Sequence, residues 1–230
     1  MHAAKTIGSE KHGETEGRTG TKQRLLEAAA RIFADVGFRE TTVQDICSAA
    51  EANLAAVNYH FGSKEKLYLE VWATSAQAMQ KGYLEPVASI EDPEARLKEI
   101  IRYRVKHTFT DGPEEHLRKL AFNEMGAPTE SHNTIVKQFL RPSRDLLTRT
   151  VAQILNVAND NAVAKRCAFS LHSQLIFLNV LSIRGRLHHT EFLGSSEQAP
   201  TNAETEELIR HIETFVLGGI RETARQSGHI

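Results

Sequence analysis

Little in this chain of 230 residues calls for a special compartment, metal or membrane. There are only two cysteines, Cys47 and Cys167, each alone in an apolar, helix-periodic segment. That excludes a disulfide framework and any Cys/His zinc pattern, and predicts two reduced, buried small hydrophobes in a cytoplasmic protein. No run of residues approaches the roughly 18 consecutive apolar positions a membrane span needs. The opening MHAAKTIGSEKHGETEG lacks the apolar core of a secretory signal. Net charge is −1, so the chain is not a polycation. Phosphate loops, dinucleotide fingerprints and nucleophile elbows are missing, and Glu124 with His172 is an acid/base pair with no flanking motif. We therefore expect no catalytic residues, no metal and no cofactor. The eleven histidines include the adjacent His188 and His189 but no ligand spacing.

Strand-like alternation and internal repeats are also missing. What is present is helical periodicity from about Thr21 onward, in ordinary globular proportions: 40% hydrophobic and 25% charged. Leu25, Ala29, Ile32 and Val36, with Leu26 and Phe33, form the first stripe, and Gly37 reads as its C-terminal stop. Thr41 with Gln44 has capping-box spacing and opens a second helix with Val43, Ile46, Cys47 and Ala50 inward. A helix over 64–82 carries Leu67, Val71 and Ala78. Asp92-Pro93 is a cap followed by a first-turn proline, opening a helix to Phe109. Further helices are expected at 114–125, 131–157 with a kink or break at Pro142, 160–187 and 204–225, with a loop over 188–203. The fold class is all-α, with nine or ten helices. Residues 1–17, rich in Gly, Lys and Glu, are expected to be a disordered tail.

The stretch Thr41–Lys64, TTVQDICSAAEANLAAVNYHFGSK, holds two short helices joined by the tight turn Glu51-Ala52-Asn53. Asn53 is a good N-cap for the second. Leu54, Val57 and Phe61 share one face and are expected to pack on Ile46, Leu25 and Phe33. The opposite face presents Ala55, Ala56 and Tyr59, flanked by Asn58 and His60. Small residues let a backbone approach base edges, and Asn can pair with adenine. Tyr59, His60, Lys64 and Thr42 suit phosphates. Charge gives this reading no help, because Arg18–Ser75 holds seven Lys/Arg and seven Asp/Glu. A plain three-helix packing unit, or a helical adaptor for protein partners, fits the generic pattern as well.

Three pieces make the pattern specific: LLEAAARIFADVGFRETTVQDI, then Asn58-Tyr59-His60-Phe61, then Gly62-Ser63-Lys64-Glu65-Lys66-Leu67. Over about Thr21–Val71 the chain resembles the TetR family of bacterial transcriptional regulators. The resemblance implies a helix-turn-helix DNA-binding domain at 18–80, with Thr42, Gln44, Asn53, Ala55, Ala56, Asn58, Tyr59, His60 and Lys64 on the DNA side. Gln44, Ala55, Ala56 and Asn58 would lie nearest the bases. It also implies a dimeric, ligand-responsive repressor of a palindromic operator, activation or dual regulation being the alternative. Glu51 departs from the family, which usually has Gly there. Asn58 stands where many members have Tyr, and resembles the CecR-like subgroup.

The resemblance assigns 81–230 to effector binding and dimerisation. Glu124-Met125-Gly126-Ala127-Pro128-Thr129, Phe139-Leu140-Arg141-Pro142 and Ser173-Gln174 are similar to the CecR-like C-terminal domain. Polar or aromatic residues on otherwise apolar faces are the pocket candidates: Tyr103, His107, Phe122, Glu124, Met125, Phe139, His172 and Gln174. The helix at 160–187 is apolar all round, which is expected of an element covered on two sides. Leu175, Leu178 and Leu181, with Ile212, Phe215 and Val216 of the last helix, are the candidate dimer interface. The expected partners are double-stranded operator DNA, a second copy of the chain and a small apolar or amphipathic effector, with no membrane.

Overall fold

The computed structural model describes residues 10–109, 113–183 and 200–228. Eleven α-helical segments occur among them: α1 Glu10–Glu40, α2 Val43–Ala49, α3 Leu54–His60, α4 Lys64–Met79, α5 Glu85–Ala88, α6 Pro93–Lys106, α7 Pro113–Gly126, α8 His132–Ile135, α9 Arg141–Ile154, α10 Ala162–Ile183 and α11 Asn202–Gln226. Two π turns, Gln80–Leu84 and Val136–Leu140, join α4 to α5 and α8 to α9 without a break. Counted as continuous rods there are nine helices among the described residues, and no strand.

Local chemistry sets most of the ends. Gly37 takes φ 85° and ψ 166°, open only to glycine, so α1 bends there and carries the chain toward α2. Thr41 Oγ1 donates to Gly37 O at 2.7 Å and fixes that bend. The capping box of α2 lies one residue later than expected: Thr42 and Asp45 form it, and Gln44 is left exposed. A Thr-Thr pair offers two registers, and Asp accepts the cap amide better than Gln because it is charged. Asn53 caps α3 by accepting from Ala56 N at 2.9 Å, and Asp92 caps α6 by accepting from Ala95 N at 2.8 Å. Pro142 is the second residue of α9, in a rod continuous with the π turn before it, and that π turn stands where the kink was expected. Thr201 and Glu204 form a capping box that starts α11 two residues before the expected 204. Residues 184–199, which include His188 and His189 and most of the expected loop, lie outside the described residues, as do 1–9 of the expected tail. The helix α1 begins at Glu10, inside that expected tail, as a continuation of the periodic segment.

Two cores result. The first gathers Leu25, Phe33, Ile46, Val57, Phe61, Leu67, Tyr68, Val71 and Trp72 from α1–α4, and also takes Leu120 of α7 and Ile135 of α8. The second lies among α6, α9, α10 and α11, around Leu97, Ile101, Val151, Leu171 and Ile212. Three expected inward residues are exposed. Val36 lies in the last turn before the Gly37 bend, and Ala78 lies beyond the part of α4 that packs on α1. Leu54 is the first residue of α3, where the Cα–Cβ bond leans off the helix end.

The regions are tied together at α7. Asn123 Nδ2 donates to the carbonyls of Phe33 and Ala34 at 3.3 and 3.0 Å, Lys119 pairs with Asp35 at 2.9 Å, and Trp72 stacks on Phe139 with centroids 6.1 Å apart. The expected boundary at 80/81 falls inside a continuous rod, so α4 belongs to both regions.

Candidate DNA-reading face and ligand cavity

The helix α3 has two turns and one buried anchor, Val57. Its outward side carries Ala55, Asn58 and Tyr59, all exposed, with Ala56 and His60 half-buried at the margin. Tyr59 is 63% exposed and meets His60 edge-on at 5.0 Å. Phe61 turns inward as the C-cap, and Gly62 at φ 82° donates to the carbonyls of Val57 and Asn58 at 3.2 and 3.0 Å, closing the helix. Glu51 in the inter-helix turn has φ 48°, the left-handed conformation that the family's usual glycine adopts freely. Arg24 Nε donates to Ala50 O at 3.0 Å beside it and caps α2.

Two residues expected at phosphates are engaged internally. Lys64 Nζ donates to Thr41 O at 2.5 Å and sits 4.4 Å above the Phe38 ring, pinning the start of α4 to the α1–α2 corner. Thr42 is exposed, but its hydroxyl donates to Asp45 Oδ2 at 2.6 Å and its amide donates to the same oxygen at 3.1 Å. That bond holds the Asp45 carboxyl below its ordinary value and puts a negative charge where α2 would otherwise offer amides to phosphate. On α1, Lys22 pairs with Glu70 at 3.0 Å.

The second site is a cavity of about 370 Å³ between the regions, walled by α4, α6, α7, α9, α10 and the two π turns. Tyr103, His107, Phe122, Met125, Phe139 and His172, all expected there, line it. Tyr83, Tyr103 and His107 form a ladder of stacked rings at 4.0 and 3.9 Å. Tyr103 OH donates to Glu114 Oε1, and His107 Nδ1 donates to Tyr103 O at 2.8 Å. Burial pushes the Tyr83 phenol up to about 12; it also raises Tyr103, aided by the Glu114 bond. Burial, then the charges of Arg104 and Arg144, hold His172 down at about 4, so it is neutral at pH 7.

Two expected pocket residues are elsewhere. Gln174 lies on another side of α10 and does not line the cavity. Glu124 is buried beneath the cavity. Its Oε2 accepts from Tyr68 OH at 3.0 Å, and its Oε1 accepts from Thr129 N, Thr129 Oγ1 and His132 Nδ1 at 2.9, 3.0 and 3.1 Å. His132 itself lines the cavity. A carboxylate thus connects the cavity wall to α4. Residues that sequence reasoning missed are Tyr83, Arg104, Arg118, Ser143 and Arg144. On charged amphipathic helices such residues look like solvent-facing ones, and only the packing of α6, α7, α9 and the first π turn around the cavity distinguishes them.

The expected dimer residues divide. Leu175, Leu178, Ile212 and Val216 are buried in the chain's own core, so they are not free to meet a partner. The side chain of Leu181 lies outside the described residues. Phe215 is exposed, as are Phe169 and Phe177 of α10. An all-round apolar helix gives no phase, and the wheel alone picked the side of α10 that packs in the chain's own core.

Among the described residues no group of three or more His, Cys, Asp or Glu side chains converges as a metal site. No helix among them is long and apolar enough to cross a membrane.

Comparison with known proteins bears on both sites. Residues 25–71 match the family of bacterial regulatory proteins, tetR family, and residues 93–220 match the C-terminal domain of HTH-type transcriptional dual regulator CecR. The chain is 26% identical to HTH-type transcriptional dual regulator CecR of Shigella flexneri over 178 residues, 71% of this chain and 75% of that protein. It is 36% identical to HTH-type transcriptional repressor KstR2 of Rhodococcus jostii over 88 residues, 38% of this chain and 43% of that one. The fold is similar to that of PfmR from Thermus thermophilus, with TM-score 0.59 and 19% identity over 84% of this chain and 97% of the other. It is similar also to AibR, solved with isovaleryl coenzyme A and operator DNA, at TM-score 0.65 and 17% identity over 85% and 97%. A groove-sized α3, a separate helical domain holding a cavity, and a match that spans both parts lead to one conclusion: the chain belongs to the TetR family of transcriptional regulators, with a C-terminal domain of the CecR type.

Proposed function

We propose that the chain is a cytoplasmic, ligand-responsive repressor that binds a palindromic operator as a homodimer and has no catalytic step. The observation that carries this is the outward face of α3, where Ala55, Asn58 and Tyr59 stand exposed around a single buried anchor. Asn58 and the small Ala55 and Ala56 read base edges, with Gln44 beside them, while Tyr59 and His60 bind phosphate oxygens. Asn53 and Thr42 hold the two helix starts in place. Lys64 acts first as a pin on the α1–α2 corner.

A palindrome needs two such helices about 34 Å apart, hence a second copy. The exposed Phe169, Phe177 and Phe215 mark the α10 and α11 face for it. A side chain added at Gly218 or Gly219 would meet nothing within 4 Å, which leaves the surface beside Phe215 open to another helix.

Ligand in the cavity acts through differential affinity for two arrangements of α4. The path is short: His132 on the wall, Glu124 beneath it, then Tyr68 in the second turn of α4. Mobility shift of the full chain on its own upstream DNA is the test. A salt-sensitive, sequence-specific shift is expected, lost in the Asn58→Ala/Tyr59→Ala variant; no specific shift on any genomic fragment overturns the reading. Elution as a monomer at micromolar concentration overturns the dimer, and Phe215→Glu is expected to give that monomer.

A further inference from the structure

Most arginines that help build this fold have clear partners. Arg96 is held by the carbonyls of Ile90 and Glu91, Arg102 by Glu206, and Arg221 by Glu94. Arg104 and Arg144 differ. Both line the cavity, from α6 and α9, and neither meets a carboxylate among the described residues. Arg104 Nη1 has only a long bond to Ser143 Oγ, at 3.4 Å. Arg144 stands exposed at the rim. His172 reaches the same wall from α10, and its Nδ1 is buried with no hydrogen-bond partner among the described residues. Glu114, the carboxylate on the cavity wall, is engaged by Tyr103 OH.

Charges in a half-enclosed apolar site are ordinarily matched by a counter-charge, and orphaned buried donors or acceptors by a partner. At one corner the half-buried Arg104 lacks a counter-charge and His172 Nδ1 lacks a partner among the described residues, with Arg144 at the rim beside them. Elsewhere the wall is Met79, Phe122, Ile176 and the Tyr83-Tyr103-His107 ladder. Guanidinium groups match planar or tetrahedral oxyanions in a fork. We infer that the cavity takes an organic oxyanion, its carboxylate or phosphate head held between Arg104 and Arg144 against His172, its apolar or aromatic body along the ring ladder. The volume, about 370 Å³, is at the lower end for small-molecule sites and suits a compact body with one head. Because His172 is neutral, it adds no charge and offers one ring nitrogen as donor or acceptor. This rests on the reading of the cavity as an effector site.

Calorimetric titration of the full chain, without DNA, tests it with phenylbutyrate, phenylbutyl phosphate, phenylbutyramide and phenylbutylamine. An oxyanion is expected to bind at least about ten-fold more tightly than the amide, and the tighter of the two oxyanions names the head. Arg144→Gln, at an exposed position that folding tolerates, is expected to lose about ten-fold in oxyanion affinity, and Arg144→Lys less. The inference is overturned if the amide or amine binds as well as the acids, if no member binds, or if Arg144→Gln and Arg104→Gln both leave oxyanion affinity unchanged. Operator binding is measured separately. Specific DNA binding without oxyanion selectivity overturns this inference alone; oxyanion selectivity without specific DNA binding supports it while overturning the repressor reading.

Discussion

The two regions of this molecule are built by different rules. The N-terminal unit takes its bends and helix ends from neighbours in sequence: Gly37 bends the long α1, and Thr42 with Asp45, Asn53, Gly62 and Ser63 act within a few residues. The C-terminal region consists of long rods whose decisive contacts cross large gaps in sequence, such as Tyr68 with Glu124, Thr108 with Asn179, and Arg102 with Glu206. Local rules set the helix ends of the reading surface, whose core still packs on Leu120 of α7 and Ile135 of α8. Long-range rules give a cavity whose walls can be re-cut while the rods remain. Glu124 and α4 are where the two meet.

The sharpest way to break this division is at that meeting point. Glu124→Ala strands Tyr68 OH and two Thr129 donors in a buried place. It is expected to cost about 3 kcal/mol, lowering the melting temperature by about 6–12 °C, with both regions melting together. If calorimetry instead shows an unshifted transition, the two regions are independent and α4 does not link them. Next in size, Asn58→Ala/Tyr59→Ala is expected to weaken specific operator binding on the order of a hundred-fold, while ligand affinity and melting stay as they were. A parallel loss of thermal stability would show that α3 is a packing element.

The pH dependence separates the regions more finely. His172 binds its proton near pH 4 when folded and near 6.5 when unfolded. Between those values the unfolded chain carries more protons, so stability rises with pH and is lost as pH falls from 7 toward 4. His172→Gln is expected to shrink the drop in melting temperature between pH 7 and pH 5 by several degrees; an unchanged slope would place the acid sensitivity outside the cavity. The smallest effect is at the inter-helix turn. Glu51→Gly relieves a left-handed φ of 48° and is expected to add about 1 kcal/mol, or about 2–4 °C, and to tighten DNA binding by removing a negative charge. Destabilisation there would show that Glu51 holds the turn by contacts of its side chain.

Legibility followed the same division. In the N-terminal unit the helices and the Asn53 cap could be read from adjacent residues, Glu51 stood out only against the family's usual glycine, and the errors were single-register ones, as at Thr42 and Leu54. In the C-terminal region the rods could be read because periodicity and Pro142 are local signals. Most of the pocket aromatics were legible too, since a ring on a charged helix is conspicuous. Arg104 and Arg144 were not, because an arginine facing a cavity and one facing water have the same local sequence. Glu124 was misplaced for the opposite reason: Thr129 and His132 reach it through the turn after α7, and Tyr68 is brought to it only by the packing of α4 on α7. The side of α10 facing outward was illegible because Phe169, Ile176, Phe177 and Val180 make its other phases as apolar as the leucine side.

The two π turns have one more implication. Both lie on the cavity wall, through Tyr83 on one side and Val136, Phe139 and Leu140 on the other. A π turn holds an extra residue in a helical rod, and each residue of an α-helix advances the face by about 100°. The rods therefore carry their own length adjusters beside the ligand. Deleting Gly82 or Lys137 would let the rod return to α register and turn new side chains into the cavity, while the caps at Ser63 and Asp92 stay in place. Specificity in this molecule can then be changed by counting residues as well as by substituting them. A shifted ligand preference with unchanged operator affinity in such deletions would be the sign of it.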